Sequence, residues 1–175
     1  MWKQLKTSLW LLRKREDGSS IVELAIVFPI LLLLFVGTAE LGRLFFTYTT
    51  LAKATKSGAR YLSASRKVTK GSGQEIADEK TRAQNLVICG KAQLSCANET
   101  PIVPGLTAAN VHICDSFSVP CNPVIPGGPI KYFRVEIQNY PFTPGVFNIA
   151  SMTGQAANVF YFALTPGTEM RYNAG

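Results

Sequence analysis

Residues 18–39 read G-S-S-I-V-E-L-A-I-V-F-P-I-L-L-L-L-F-V-G-T-A, an apolar run with Glu23 as its one ionisable side chain. As a helix rising about 1.5 Å per residue, Ile21 to Ala39 covers roughly 28 Å, against about 30 Å for a bilayer's hydrocarbon core. The run at Leu31–Val36 is apolar on every side, whereas a helix buried in a soluble core carries one apolar stripe. A secretory signal peptide is a competing reading, with Gly37 and Ala39 as the small residues before a cut. Against it stand the long polar leader, the carboxylate inside the apolar run and the length of that run. The span reading is therefore preferred, with membrane lipid as a partner.

Outside the span, composition excludes more than it selects. The chain has 175 residues, 47% hydrophobic and only 17% charged, which argues against disorder and against a multidomain enzyme. The formal charge is +7, but the basic residues are scattered, with no run beyond Arg13-Lys14-Arg15, so no nucleic-acid partner is nominated. Lys3, Lys6, Arg13, Lys14 and Arg15 precede the span and Arg43, Lys53, Lys56 and Arg60 follow it. Charge bias is thus nearly balanced, and the tight cluster at 13–15 favours an N-terminus on the inside.

A basic leader that stops at Gly18, followed by an apolar helix with a carboxylate at its fifth residue, resembles the processing site of type IV prepilins. There a membrane aspartyl peptidase cuts after the glycine. The longer stretches E-L-A-I-V-F-P-I-L-L-L-L (Glu23–Leu34), A-E-L-G-R-L-F-F (Ala39–Phe46) and S-G-A-R-Y (Ser57–Tyr61) are similar to the TadE-like pseudopilins of the tight-adherence (Flp) pilus system. The stretch at Val103–Val111 is a looser match. The resemblance implies cleavage between Gly18 and Ser19 and a minor pilin that initiates, caps or anchors a pilus. It also implies a single-pass bacterial inner-membrane protein with an extracytoplasmic C-terminal domain, or a place in the extracellular pilus. Implied partners are the major pilin, another pseudopilin, the prepilin peptidase and the inner-membrane assembly platform.

Glu23 needs a physical explanation, because a carboxylate at bilayer depth costs on the order of 2.5–3.5 kcal/mol and usually has a partner. After a cut at Gly18, the Ser19 α-amine lies about one helical turn away and is largely cationic at neutral pH. That pair can shield Glu23 within a chain; the pilin resemblance extends it to setting register between chains. The alternative is a carboxylate at the membrane surface, favoured by the helix dipole. Pro29 removes one helical hydrogen bond and is expected to kink or open the helix, with or without a role in assembly.

Beyond the span, Leu41, Leu44, Phe45, Tyr48, Leu51 and Ala52 recur at three- and four-residue steps and extend the helix as an apolar stripe that needs a cover. Arg60 and Arg66 are read as solvated. Gly71-Ser72-Gly73 breaks the chain, and Gln74–Ile88 has a second helical pattern, with Ile76, Lys80, Ala83, Leu86 and Val87 on one side. Glu75, Asp78 and Glu79 are read as first-turn acids that complement its dipole. Strand-like runs follow at Val111–Val119, Ile130–Tyr140 and Ala157–Leu164. The expected organisation is a leader (1–18), a long helix (19–65, spanning at about 21–39) and an α+β domain (66–175) with a small antiparallel sheet.

Cys89, Cys96, Cys114 and Cys121 all follow the span and fit two disulfides in an oxidising compartment; spacing leaves three connectivities open. Zinc pairs are usually closer together than these. The one histidine, His112, lies in a strand-like run, and alternation puts Asp115 on the opposite face. No nucleophile motif, phosphate loop or zinc signature is present, so neither an enzyme nor a cofactor is expected. Two other readings remain: a membrane-anchored binding or sensor protein that retains its leader, and an enzyme secreted after cleavage at Ala39.

Overall fold

In the described residues of the computed structural model (16–116, 132–144 and 162–172), one helix dominates: α1, Glu16–Ala64. The chain divides into two compact units, Met1–Gly42 and Arg43–Gly175. In the first, α1 runs uninterrupted through Pro29, and every residue from Gly18 to Phe35 is exposed. A proline forfeits one hydrogen bond, and the flanking turns keep the rest of the ladder.

In the second unit α1 buries Thr47, Leu51, Ala54, Thr55, Gly58, Ala59 and Leu62, one face at three- and four-residue spacing. This corrects the expected stripe. Leu51 is buried and Leu44 packs beside the core, but Phe45 and Tyr48 are exposed at 58% and 44%. At about 100° per residue, the buried face is rotated by roughly a sixth of a turn from the expected one. Small side chains let the helix approach its neighbours closely, so packing selects the Ala-Thr-Gly-Ala face over the face with the largest apolar groups. Gly58 marks the tightest approach: a β-carbon there would lie 2.7 Å from Val87 Cγ2 and 3.6 Å from Val135 Cγ1.

A short helix, α2 (Lys67–Lys70), turns the chain and buries Val68. Helix α3, Gly73–Cys89, starts at a capping box: Ser72 Oγ accepts from the Glu75 amide, and the Ser72 amide donates to Glu75 Oε2 at 2.8 Å. The Ser72 amide, and next the Ser72 hydroxyl, donate to the Glu75 carboxylate and hold it below its usual range. The helix ends at Gly90, whose φ of 74° is the left-handed conformation that glycine adopts without a Cβ penalty.

A 3-10 turn, Ala108–Asn110, leads into β1 (Val111–Asp115). Strand β1 pairs antiparallel with β2 (Tyr132–Ile137), which pairs antiparallel with β5 (Gly167–Arg171), giving the order β1-β2-β5. A second ribbon pairs β3 (Tyr140–Phe142) with β4 (Phe162–Leu164), also antiparallel. The expected run at 130–140 thus splits into two strands at Asn139, which has a φ of 52°. Strand β5 was not legible because Gly167-Thr-Glu-Met-Arg has one strong β-former and alternates weakly. Residues 117–119, 130–131 and 157–161 of the expected runs lie outside the described residues.

Strand β2 is the central strand. Phe133, Val135 and Ile137 are fully buried while Tyr132, Arg134 and Glu136 are half-exposed. With Leu51, Leu62 and Val87 they form the core of an α+β domain, helices against antiparallel strands. Thr55 Oγ1 lies 3.2 Å from Thr168 Oγ1, which ties α1 to β5.

Candidate functional site

The residues expected to be processed and to direct assembly lie in the first unit. Gly18, Ser19, Glu23 and Pro29 are all exposed on helical backbone. Ser19 and Glu23 are four residues apart, hence one above the other on one face. A β-carbon at Gly18 would meet nothing within 4 Å among the described residues, so none of their packing demands a glycine there.

Around them the apolar side chains are unburied: Ile21 is 68% exposed, Leu33 60% and Phe35 74%. Among the described residues this is the one helix long and apolar enough to cross a membrane. Full exposure distinguishes it from the core helix of a soluble protein, whose apolar stripe is covered by its own chain.

The acidic groups of α3 have separate fates. Glu75 caps the helix, but Glu79 is buried and accepts from Ser65 Oγ at 3.1 Å, so it joins α3 to the end of α1 rather than facing water. Burial, and next the hydrogen bond with Glu79, push the Tyr61 hydroxyl above its ordinary pKa. Lys80 reaches across to Asp115, 2.6 Å away and 1% exposed, linking α3 to the end of β1. His112 is exposed on the other face, so the two are not brought together. Arg60 and Arg66 are exposed, as expected.

Cys89 and Cys96 are joined, closing the turn after α3. Cys114 is disulfide-bonded too, while Cys121 lies outside the described residues. Asn85 Nδ2 donates to Gln93 O at 2.8 Å inside the Cys89–Cys96 loop.

One cleft went unforeseen. Arg43, Phe46 and Thr47 of α1, residues 102–104 and residues 140–143 line a cavity of about 260 Å³. The Arg43 guanidinium carbon lies 5.7 Å from the Phe142 ring centroid, a cation over an aromatic face. Tyr140 Oη donates to Pro104 O at 2.8 Å; burial raises its pKa and Arg43 opposes the shift. The sequence signal was the cluster Arg43-Leu44-Phe45-Phe46, a cation among large apolar groups just past the span. Its partners come from two loops and a strand that no local pattern brings together.

The model of the TadE-like protein family matches residues 18–60, about a quarter of the chain. The match starts at Gly18 and ends just past Gly58, so it contains the apolar run and the small-residue face of α1, and omits α3 and both sheets. No curated protein and no solved structure matches the chain.

Proposed function

We propose that this chain, TadE-like over residues 18–60, is a minor pilin of the tight-adherence system: a membrane-anchored subunit that supports assembly of a pilus. The observation that carries this is the first half of α1, where a fully exposed, largely apolar stretch begins at the glycine that opens the family match. A prepilin peptidase cuts between Gly18 and Ser19, and the freed Ser19 amine pairs with Glu23 one turn on. Desolvated in the bilayer, that pair holds neighbouring helices in register, and the α+β domain lies on the extracytoplasmic side. There the Cys89–Cys96 bond persists, since disulfides form and last in oxidising compartments. Partners on this reading are the major pilin, a second pseudopilin and the inner-membrane assembly platform. The chain is a substrate of the peptidase rather than an enzyme.

The test is the N-terminal sequence and intact mass of the membrane-recovered protein, wild type beside Gly18→Leu. Wild type should begin at Ser19. The variant should remain full-length with an unchanged domain, because position 18 lies in the first unit and a β-carbon there meets none of the described residues within 4 Å. Mature-sized Gly18→Leu protein would refute the site, and a wild-type start at Met1 would favour an anchored binding protein that keeps its leader.

A further inference from the structure

From Leu41 to Gln74 the chain carries seven Lys or Arg residues and no Asp or Glu. Within the second unit, three of these cations form a stripe on α1: Lys53, Lys56 and Arg60 are all exposed, three and four residues apart. At about 100° per residue they fall within a sector of roughly 60°, on the side of the helix away from the buried Leu51, Thr55 and Leu62. Two to four turns earlier the same side presents Phe45 at 58% exposure, Phe46 at 72%, and Thr49, whose hydroxyl turns back onto the carbonyl of Phe46. The face is thus aromatic at one end and cationic at the other, about 22 Å from Phe45 to Arg60. A helix side that meets only water usually interleaves both signs, as α3 does with Glu75, Asp78 and Arg82. On α1 the positions four residues from these cations hold Thr49, Ser57, Ala52 and Ala64, so no carboxylate neighbours them along the helix. Lys56 and Arg60 are themselves like charges at i, i+4, a pairing that weakens a helix. Among the described residues no ion pair involves any of the three.

We propose that this face of α1 docks a helix of a different chain, one that runs alongside it with apolar side chains against Phe45 and carboxylates against Lys53, Lys56 and Arg60. Charge complementarity selects the occupant. Three cations spread over about 10 Å of one face are matched by Asp or Glu at i, i+3 and i+7 of a facing helix, which repeats at the same spacing. The aromatic end is covered by apolar contact, which a polyanion does not offer. A second copy of this chain is opposed by its own sequence: laid alongside in the same direction, it sets cations against cations and brings no carboxylate between residues 41 and 74. The stripe therefore favours an acidic partner and also bars self-pairing, attraction and repulsion on one surface. The proposal concerns the partner's chemistry and depends neither on the cut at Gly18 nor on a pilus role.

The experiment supplies the acidic helix from the protein itself. The full chain is co-expressed under two tags of different mass, as wild type and as the triple variant Lys53→Glu, Lys56→Glu, Arg60→Glu, and pairs are counted by native mass spectrometry after mild detergent extraction. Mixed pairs should exceed the statistical ratio about tenfold, as three exposed charge pairs warrant, and the excess should vanish near 1 M salt, where the screening length is about 3 Å. Phe45→Ala in both chains should lower the mixed pairs further, since it strips the apolar end of the face. All three cations are exposed, so the triple variant should keep the wild-type urea midpoint; should it unfold, Lys56→Glu alone replaces it, with an excess of about twofold. Mixed pairs at the statistical ratio would overturn the proposal, as would wild-type pairs of equal abundance, which would assign the face to a second copy. A mixed excess that Phe45→Ala leaves unchanged and that soluble polyphosphate abolishes would also overturn it, and would assign the stripe to polyanions.

Discussion

The two halves of α1 are one continuous helix and obey different rules. From Gly18 to Phe35 no side chain is covered, although nearly all are apolar; from Thr47 to Leu62 the covered face is made largely of Ala, Thr and Gly. In the first half composition is the message, because an apolar helix in lipid needs length and hydrophobicity all round and no particular face. In the second half shape is the message, because close approach to Val87 and Val135 gains dispersion contacts that larger side chains would prevent. The lesson is that an apolar stripe read from sequence identifies helix, while the volumes on each face decide which face turns inward.

Matched substitutions should separate the halves most clearly. Leu62→Ala, at a fully buried position, should destabilise the domain by about 2–5 kcal/mol in urea denaturation of the detergent-solubilised chain. Leu33→Ala, at a 60% exposed position, should leave the same midpoint within about 0.5 kcal/mol. Equal effects would mean that the span packs on the domain. Next in size is the Cys89–Cys96 bond: replacing both by serine should cost about 2–3 kcal/mol, read as a lower urea midpoint with membrane recovery unaltered.

Gly58→Leu tests the small-residue face directly. It should cost about 1–3 kcal/mol through overpacking against Val87, partly offset by better helix propensity. A stabilised variant would show that the helix can back away from β2, and that volume does not set its rotation. The smallest effect concerns the start of α3. Because Glu75 is held below its usual pKa, its contribution is fully present above the ordinary glutamate range and fades as pH falls through the lowered value. Amide protection factors at Ile76 and Ala77, exchange rates corrected for the intrinsic pH dependence, should therefore fall on acidification in wild type and lose that dependence in Glu75→Gln, which keeps a capping-box side chain.

Much of this protein was legible from local pattern. The α3 helix, expected at Gln74–Ile88 from the spacing of its apolar residues, runs Gly73–Cys89, bounded in the structure by the Ser72–Glu75 capping box and by Gly90. Strand β2 lies within the expected run Ile130–Tyr140, and the antiparallel α+β class followed from the order of the runs. What local pattern missed shares one cause. Glu79 looked like a solvated first-turn acid until Ser65 and Tyr61 closed over it, and the cleft at Arg43 exists because residues 102–104 and 140–143 arrive from far along the chain.

The sequence by itself determined that the N-terminal helix is long and apolar enough to cross a membrane, its TadE-like match over residues 18–60, and the class of the domain behind it. Each depends on composition or on spacing within a few residues, where chain connectivity already fixes who the neighbours are. Only the tertiary structure decided which face of α1 is buried, that Cys89 takes Cys96, that Asp115 takes Lys80, and that a cation and three aromatic residues frame one cleft. Those outcomes depend on volume and charge meeting across long stretches of chain, and no window of sequence carries that information.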